Sequence, residues 1–145
     1  MKQIPEEIRA PARLDNLYPL LGFVTSCAKR HGAGQERIHE IELVMEELLV
    51  NIFNYAYPDS TGNVAIVCRP DDPGKILIEI ADDGIPFNIL TRDEPDLESG
   101  IEERSVGGLG IFFVRQLVQE IHYRREGGRN ILTLTVDLVP QSRGV

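Results

Sequence analysis

Tryptophan is absent, cysteine occurs twice, and aromatic residues make up only 6% of the 145 positions. Cys27 and Cys68 each lie in an apolar stretch with no CxxC pair and no neighbouring histidine. That excludes a disulfide framework and a cysteine-based zinc site, and predicts two buried, inert thiols in a reducing compartment. No apolar run approaches the roughly 20 residues needed to span a bilayer. The opening Met1-Lys2-Gln3-Ile4-Pro5 lacks the apolar region of a secretory signal, so a cytoplasmic location is expected. Positive charge is scarce as well: 15 Lys and Arg stand against 23 Asp and Glu, a net charge of −8. Such a surface repels polyanions, which disfavours nucleic acid and anionic membranes as partners. The P-loop pattern GxxxxGK[ST] occurs nowhere, and Gly108-Leu109-Gly110 runs on to Phe113 where a dinucleotide fingerprint requires Gly or Ala. His31, His39 and His122 share no metal-ligand spacing.

What is present is the composition of a folded globular chain, 42% hydrophobic and 26% charged, and its length predicts one domain over residues 1–145. A weak alternation over residues 3–10 suggests an edge strand. Asp15 is placed to cap a helix carrying Leu17, Leu20, Leu21, Val24 and Ala28, which His31-Gly32-Ala33-Gly34 stops. A longer helix is expected over residues 35–55, with Ile38, Ile41, Val44, Met45, Leu48 and Ile52 on one side. Runs at 64–68 and 76–80, joined through Pro70-Asp71-Asp72-Pro73-Gly74, read as an antiparallel hairpin. Residues 84–110 hold scattered apolar positions among prolines, acids and glycines, a length of irregular chain that points to a functional lid. Helical period returns with Ile111, Val114, Leu117, Val118 and Ile121, and strands at 123–125 and 131–138 flank a turn at 126–130. Without sustained βαβ alternation the expected class is α+β: a two-layer sandwich in which helices cover one face of a mixed, mostly antiparallel sheet.

Three constellations carry chemistry. On the long helix, Glu47, Asn51 and Asn54 fall within an arc of about 60° beside the apolar face. Asparagine is a poor helix former, so two of them there suit a purpose. A carboxylate that takes a proton, with an amide oxygen one turn on to bind a hard cation, is one reading; solvated positions and a C-terminal cap are the other. At the end of an apolar strand, Asp82-Asp83-Gly84 could accept a bond from a ligand amino group while glycine admits a close backbone approach. Asp-Asp-Gly is equally an ordinary turn. Finally, Gly107-Gly108-Leu109-Gly110 opens an apolar helix, and the unpartnered amides of a helix N-terminus form an anion site; simple hinges use glycine in the same way.

The order of these elements, an acid-and-amide helix, a strand ending in acid and glycine, a long loop, then glycines opening a helix, resembles the GHKL ATPases. More closely, it is similar to their small branch of bacterial anti-sigma-factor serine kinases, over residues 3–138. The resemblance implies a Bergerat-type ATP-binding fold with ATP or ADP and Mg²⁺ as cofactors. It implies Glu47 as general base, with Glu46 as the rival acid on another helix face, and Asn51 as the Mg²⁺ ligand with Asn54 nearby. Asp82 would recognise the adenine amino group, followed by Gly84, although Pro86 stands where the wider family has a second glycine. Gly108, Leu109 and Gly110 would carry the phosphates, Arg104 would reach the terminal phosphate or protein substrate, and Thr133 would lie near the base. The implied activity is a protein serine/threonine kinase that phosphorylates a small STAS-like anti-sigma antagonist, with a sigma factor as second partner and homodimerisation by family likeness. The rival readings are a nucleotide-dependent binding module without useful kinase activity and a partner-switching kinase unrelated to sigma factors.

Overall fold

A computed structural model describes residues 6–71, 73–91 and 108–139. Five strands, β1 (Glu6–Pro11), β2 (Asn63–Pro70), β3 (Lys75–Asp82), β4 (Glu120–Glu126) and β5 (Arg129–Asp137), form one sheet in the order β1-β2-β3-β5-β4. Every neighbouring pair is antiparallel. Three helices, α1 (Leu17–Arg30), α2 (Gln35–Tyr55) and α3 (Gly108–Leu117), complete the two-layer α+β architecture.

Period-two alternation decides which side chains face the helices. Val64, Ile66 and Cys68 of β2, Ile76, Ile78 and Ile80 of β3, and Leu132, Leu134 and Val136 of β5 are buried against Leu20, Leu21 and Val24 of α1 and Ile41, Met45, Leu48 and Ile52 of α2. The same parity carries Asp82 and its register partner Asn130 onto the helix-covered face at the end of the apolar rows, and both are buried. Cys27 and Cys68 are buried free thiols.

The structure corrects several local expectations. Asp15 does not cap α1: it lies in a 3-10 turn (Leu14–Asn16) and pairs with Arg13 at 3.2 Å, while Asn16 holds the N-cap position without a side-chain capping bond, its amide donating instead to Pro11 O (2.8 Å). The third helix stops at Leu117, and Ile121 belongs to β4, because Gln119 N–H already donates to Thr135 O (2.9 Å) and draws the chain onto the sheet. The expected turn at 126–130 shrinks to Gly127-Gly128, with φ of 60° and 76°. Two consecutive positive φ values make the tight hairpin turn that glycine alone adopts cheaply, so Arg129 and Asn130 belong to β5. Of the expected lid, residues 92–107 lie outside the described residues, Arg104 among them.

One buried charge ties the layers together. Arg37 of α2 donates from Nε to Asp137 O (2.6 Å) and from Nη2 to Leu117 O (2.7 Å), and pairs with Glu40 at 3.2 Å. It satisfies a carbonyl at the C-terminus of α3 that has no partner within the helix, fixing that end of α3 against α2.

Candidate functional site

The site has two ends, both resting on α2. At the first, Asp82 closes β3 with its Oδ1 accepting from Gly84 N–H (2.9 Å) and from Asn130 Nδ2 (2.8 Å). Its Oδ2 has no hydrogen bond among the described residues. Burial pushes the Asp82 carboxyl above the usual carboxylate range, while the Asn130 and Gly84 bonds and the Arg125 charge hold it back. The next residue behaves oppositely: Tyr57 donates its hydroxyl to Asp83 Oδ1 (2.6 Å) and accepts from Asp83 N–H (2.9 Å), which lowers the pKa of Asp83. Burial and the same contact raise the pKa of the Tyr57 phenol. Two adjacent carboxyls are thereby driven apart in acidity by their surroundings.

The turn after β3 docks on the end of α2. Ile85 N–H donates to Ala56 O (2.9 Å), and a Cβ on Gly84 would collide with that same carbonyl oxygen, so position 84 admits only glycine without rearrangement. Tyr55 and Phe87 approach with ring centroids 5.6 Å apart beside this turn.

At the second end, Asn51 is buried and its Nδ2 donates to Glu47 O (2.8 Å) and to Glu47 Oε1 (2.9 Å). With the amide nitrogen committed in this way, the atom that suits a cation is the amide oxygen. Gly110 in the first turn of α3 packs directly on the Glu47 carboxylate, which occupies the space a Cβ would need. Glu47 is half-buried whereas Glu46 is exposed, so the helix itself settles which of the two acids faces the site. The glycine segment does open a helix, with Gly108 as the first residue of α3.

The structure therefore brings Glu47, Asn51 and Gly110 together, and sets the turn after Asp82 with Gly84 against the C-terminal end of the same helix. Two expected residues are not brought in. Asn54 is exposed, with no side-chain hydrogen bond among the described residues, because the helix ends within a turn of it. Thr133 has the parity opposite to Leu132 and Leu134 and so lies on the face of the sheet away from the helices, where its Oγ1 accepts from Arg124 Nη1 (3.3 Å). The register partner of Asp82 on β5 is Asn130, whereas Thr133 pairs with Glu79. The Leu109 side chain and Arg104 lie outside the described residues. Sequence reasoning missed Asn130, Tyr57, Tyr123 and Arg125. The available signal for Asn130 was a polar residue at the buried phase of an apolar strand.

Comparison with known proteins bears on the family and the fold. The histidine kinase-like ATPase domain family matches residues 10–136. Serine-protein kinase RsbW of Bacillus cereus (strain AH820) and that of Bacillus anthracis are each 25% identical over 130 residues, covering 87% of this chain and 81% of the relative. Among solved structures, the RsbU and RsbW domains of Rv1364c from Mycobacterium tuberculosis superpose with a TM-score of 0.66 at 18% identity, over 99% of this chain but only 35% of that one. The histidine kinase domain of the blue-light activated histidine kinase from Erythrobacter litoralis EL346 gives a TM-score of 0.55 at 20% identity, over 84% of this chain and 61% of that one.

Proposed function

The chain belongs to the histidine kinase-like ATPase domain family, and from that premise we propose that it is an ATP-dependent protein serine/threonine kinase of a partner-switching pathway. It acts as one cytoplasmic domain that phosphorylates a small STAS-like antagonist protein on serine and sequesters a sigma factor, with homodimerisation as its assembly. Among the described residues no helix is long and apolar enough to cross a membrane.

The observation that carries the nucleotide reading is the buried Asp82 carboxylate with one oxygen bonded twice and the other not bonded at all among the described residues. An unsatisfied buried acceptor is costly unless a ligand completes it. The exocyclic amino group of adenine is a donor of the right kind. Gly84 and Gly110 let the backbone lie against Ala56 O and the Glu47 carboxylate, which brings the turn after β3 and the first turn of α3 together on the helix that carries Glu47 and Asn51. When bound, Mg²⁺ and ATP supply the transferable phosphoryl group and the cation that neutralises its charge. Asn51 would hold the cation through its amide oxygen. Glu47, oriented by its bond from Asn51, takes the proton of a serine hydroxyl on its carboxylate. The amides opening α3 at Gly108 provide donors for anionic oxygens.

Similarity to the serine-protein kinases of Bacillus supports the choice of a protein serine as acceptor. Incubating the chain with Mg²⁺, labelled ATP and candidate antagonist proteins tests the reading. Transfer of label to a serine of one antagonist is expected. Nucleotide binding with every candidate unlabelled would replace the kinase by a nucleotide-controlled binding module.

A further inference from the structure

Asn130 is a buried amide with both of its N–H donors used: Nδ2 donates to Asp82 Oδ1 (2.8 Å) and to Ile85 O (2.7 Å). Its Oδ1 accepts from Tyr123 Oη (2.6 Å), Phe87 N–H (3.1 Å) and Arg125 Nη1 (3.1 Å). Turning the amide over would set its oxygen against two acceptors and its nitrogen against three donors, so the surroundings allow only one orientation. The neighbours of Asn130 at the same phase of β5 are Leu132, Leu134 and Val136, all buried. An apolar residue at position 130 would take this partner from Phe87 N–H, Ile85 O and Asp82 Oδ1, so the amide has a task in the network beyond filling space.

That task follows from what Asn130 does to Asp82. Its Nδ2 and Gly84 N–H together occupy Oδ1, which opposes rotation of the carboxylate and leaves Oδ2 as the acceptor without a hydrogen bond among the described residues. We infer that Asn130 is a positioning residue that sets the purine selectivity of the site, by holding Asp82 so that an ionised, acceptor-only oxygen meets the ligand. Such an oxygen accepts from the amino group of adenine and repels the carbonyl that guanine presents at the corresponding place. Without Asn130 the carboxyl is free to turn, and a protonated carboxyl donates to a carbonyl as readily as the ionised one accepts from an amine.

Charge around Asp82 bears on the same balance. Burial raises its pKa, Asp83 beside it raises it further, and Arg125 of β4 lowers it. Arg125 also donates from Nη1 to Gly84 O (2.8 Å), which places its charge over the turn. Tyr57 feels the Asp82 charge but engages Asp83, and Tyr123 acts on Asp82 only through Asn130. Loss of the Asn130 bond removes the largest contribution opposing protonation of Asp82.

This inference rests on the nucleotide reading above, and the deciding experiment separates the two. Calorimetric titrations with ADP and with GDP, between about pH 6 and pH 8, compare the unmutated chain with Asn130→Ala and Tyr123→Phe. The unmutated chain is expected to prefer ADP with little pH dependence. Asn130→Ala is expected to lose roughly ten- to hundredfold of that preference, and its remaining ADP affinity should fall as the pH drops. Tyr123→Phe, which removes one of the bonds orienting Asn130, should shift preference in the same direction by less and decides the matter if Asn130→Ala does not fold. Equal loss of ADP and GDP affinity in a folded variant, with no change in pH profile, would reduce Asn130 to a packing role and overturn the inference. No binding of either nucleotide by the unmutated chain would overturn the proposed function itself, and the inference with it.

Discussion

Asp82 closes β3 with one carboxylate oxygen bonded to a backbone N–H and to a buried amide, whereas Glu47 sits half-buried in α2, bonded to Asn51 a turn away and pressed against Gly110 of α3. The partners of Asp82 come from the strand that pairs with β3 and from the turn that follows it, so they are fixed by the sheet. The partners of Glu47 come from its own helix and from a helix fastened at its far end by Arg37. The proposed recognition group and the proposed base thus receive different kinds of support. The first is locked in a single orientation, as selection between ligands requires. The second accepts a bond from the amide of Asn51 on its own helix, a bond that can be exchanged during proton transfer.

The sharpest way to test this difference is to disable one end and ask whether the other notices. Glu47→Gln keeps the size and the bond to Asn51 but removes the base. Phosphoryl transfer from labelled ATP is expected to fall by about 10²- to 10⁴-fold, with ADP affinity retained in a titration. A Glu47→Gln protein that transfers at the original rate would end the assignment of Glu47. Arg37→Ala addresses the fastening of α3: two part-buried carbonyls lose a charged donor, at a cost of about 2–4 kcal/mol in a denaturant melt. A variant as stable as the parent would show that α3 is held by apolar packing alone. Asp82→Ala removes the recognition group and should weaken ADP about ten- to hundredfold. Its signature is a larger loss for ADP than for GDP; equal losses would mean that Asp82 does not read the base.

The smallest expected effect is on stability against pH. Burial holds the folded Asp82 carboxyl above its unfolded pKa. Its contribution to stability is therefore fully present below the ordinary carboxylate range, about pH 4, and is lost as pH rises through the higher folded value. Asp82→Asn removes that dependence. Thermal melts should show the variant gaining on the parent as the pH rises from about 4 toward 7, with the difference closing in acid. A gap that widens in acid instead would mean that the bonds to Asn130 and Gly84 outweigh burial.

Much of this was legible in the sequence, for reasons that differ by element. The bounds of α2 follow from a stripe of Ile41, Val44, Met45, Leu48 and Ile52 and from Pro58 beyond it, and Glu47 and Asn51 share a face because their spacing is close to one helical turn. Asp82 and Gly84 stood out because an apolar strand ends there. Asn130 escaped because five turn-like residues, 126–130, read as a loop, while the chain needs only Gly127 and Gly128 to reverse. Thr133 rested on the resemblance alone, and its odd place in β5 puts it on the face opposite to Asn130, Leu132 and Leu134. Arg37 escaped for a related reason. It follows the buried phase of α2 at one turn before Ile41, yet a charge at a helix start reads as solvated until the C-terminus of α3 is known to lie over it.

Isothermal titration of the folded chain with ADP and with GDP, each in the presence of Mg²⁺, tests the central claim most directly. The account predicts saturable heat with ADP and a clearly weaker response to GDP, a preference that Asp82→Ala abolishes. Heat that is absent for ADP, or a GDP response that matches it in the unmutated chain, would contradict the claim that this buried carboxylate is the reader of an adenine nucleotide.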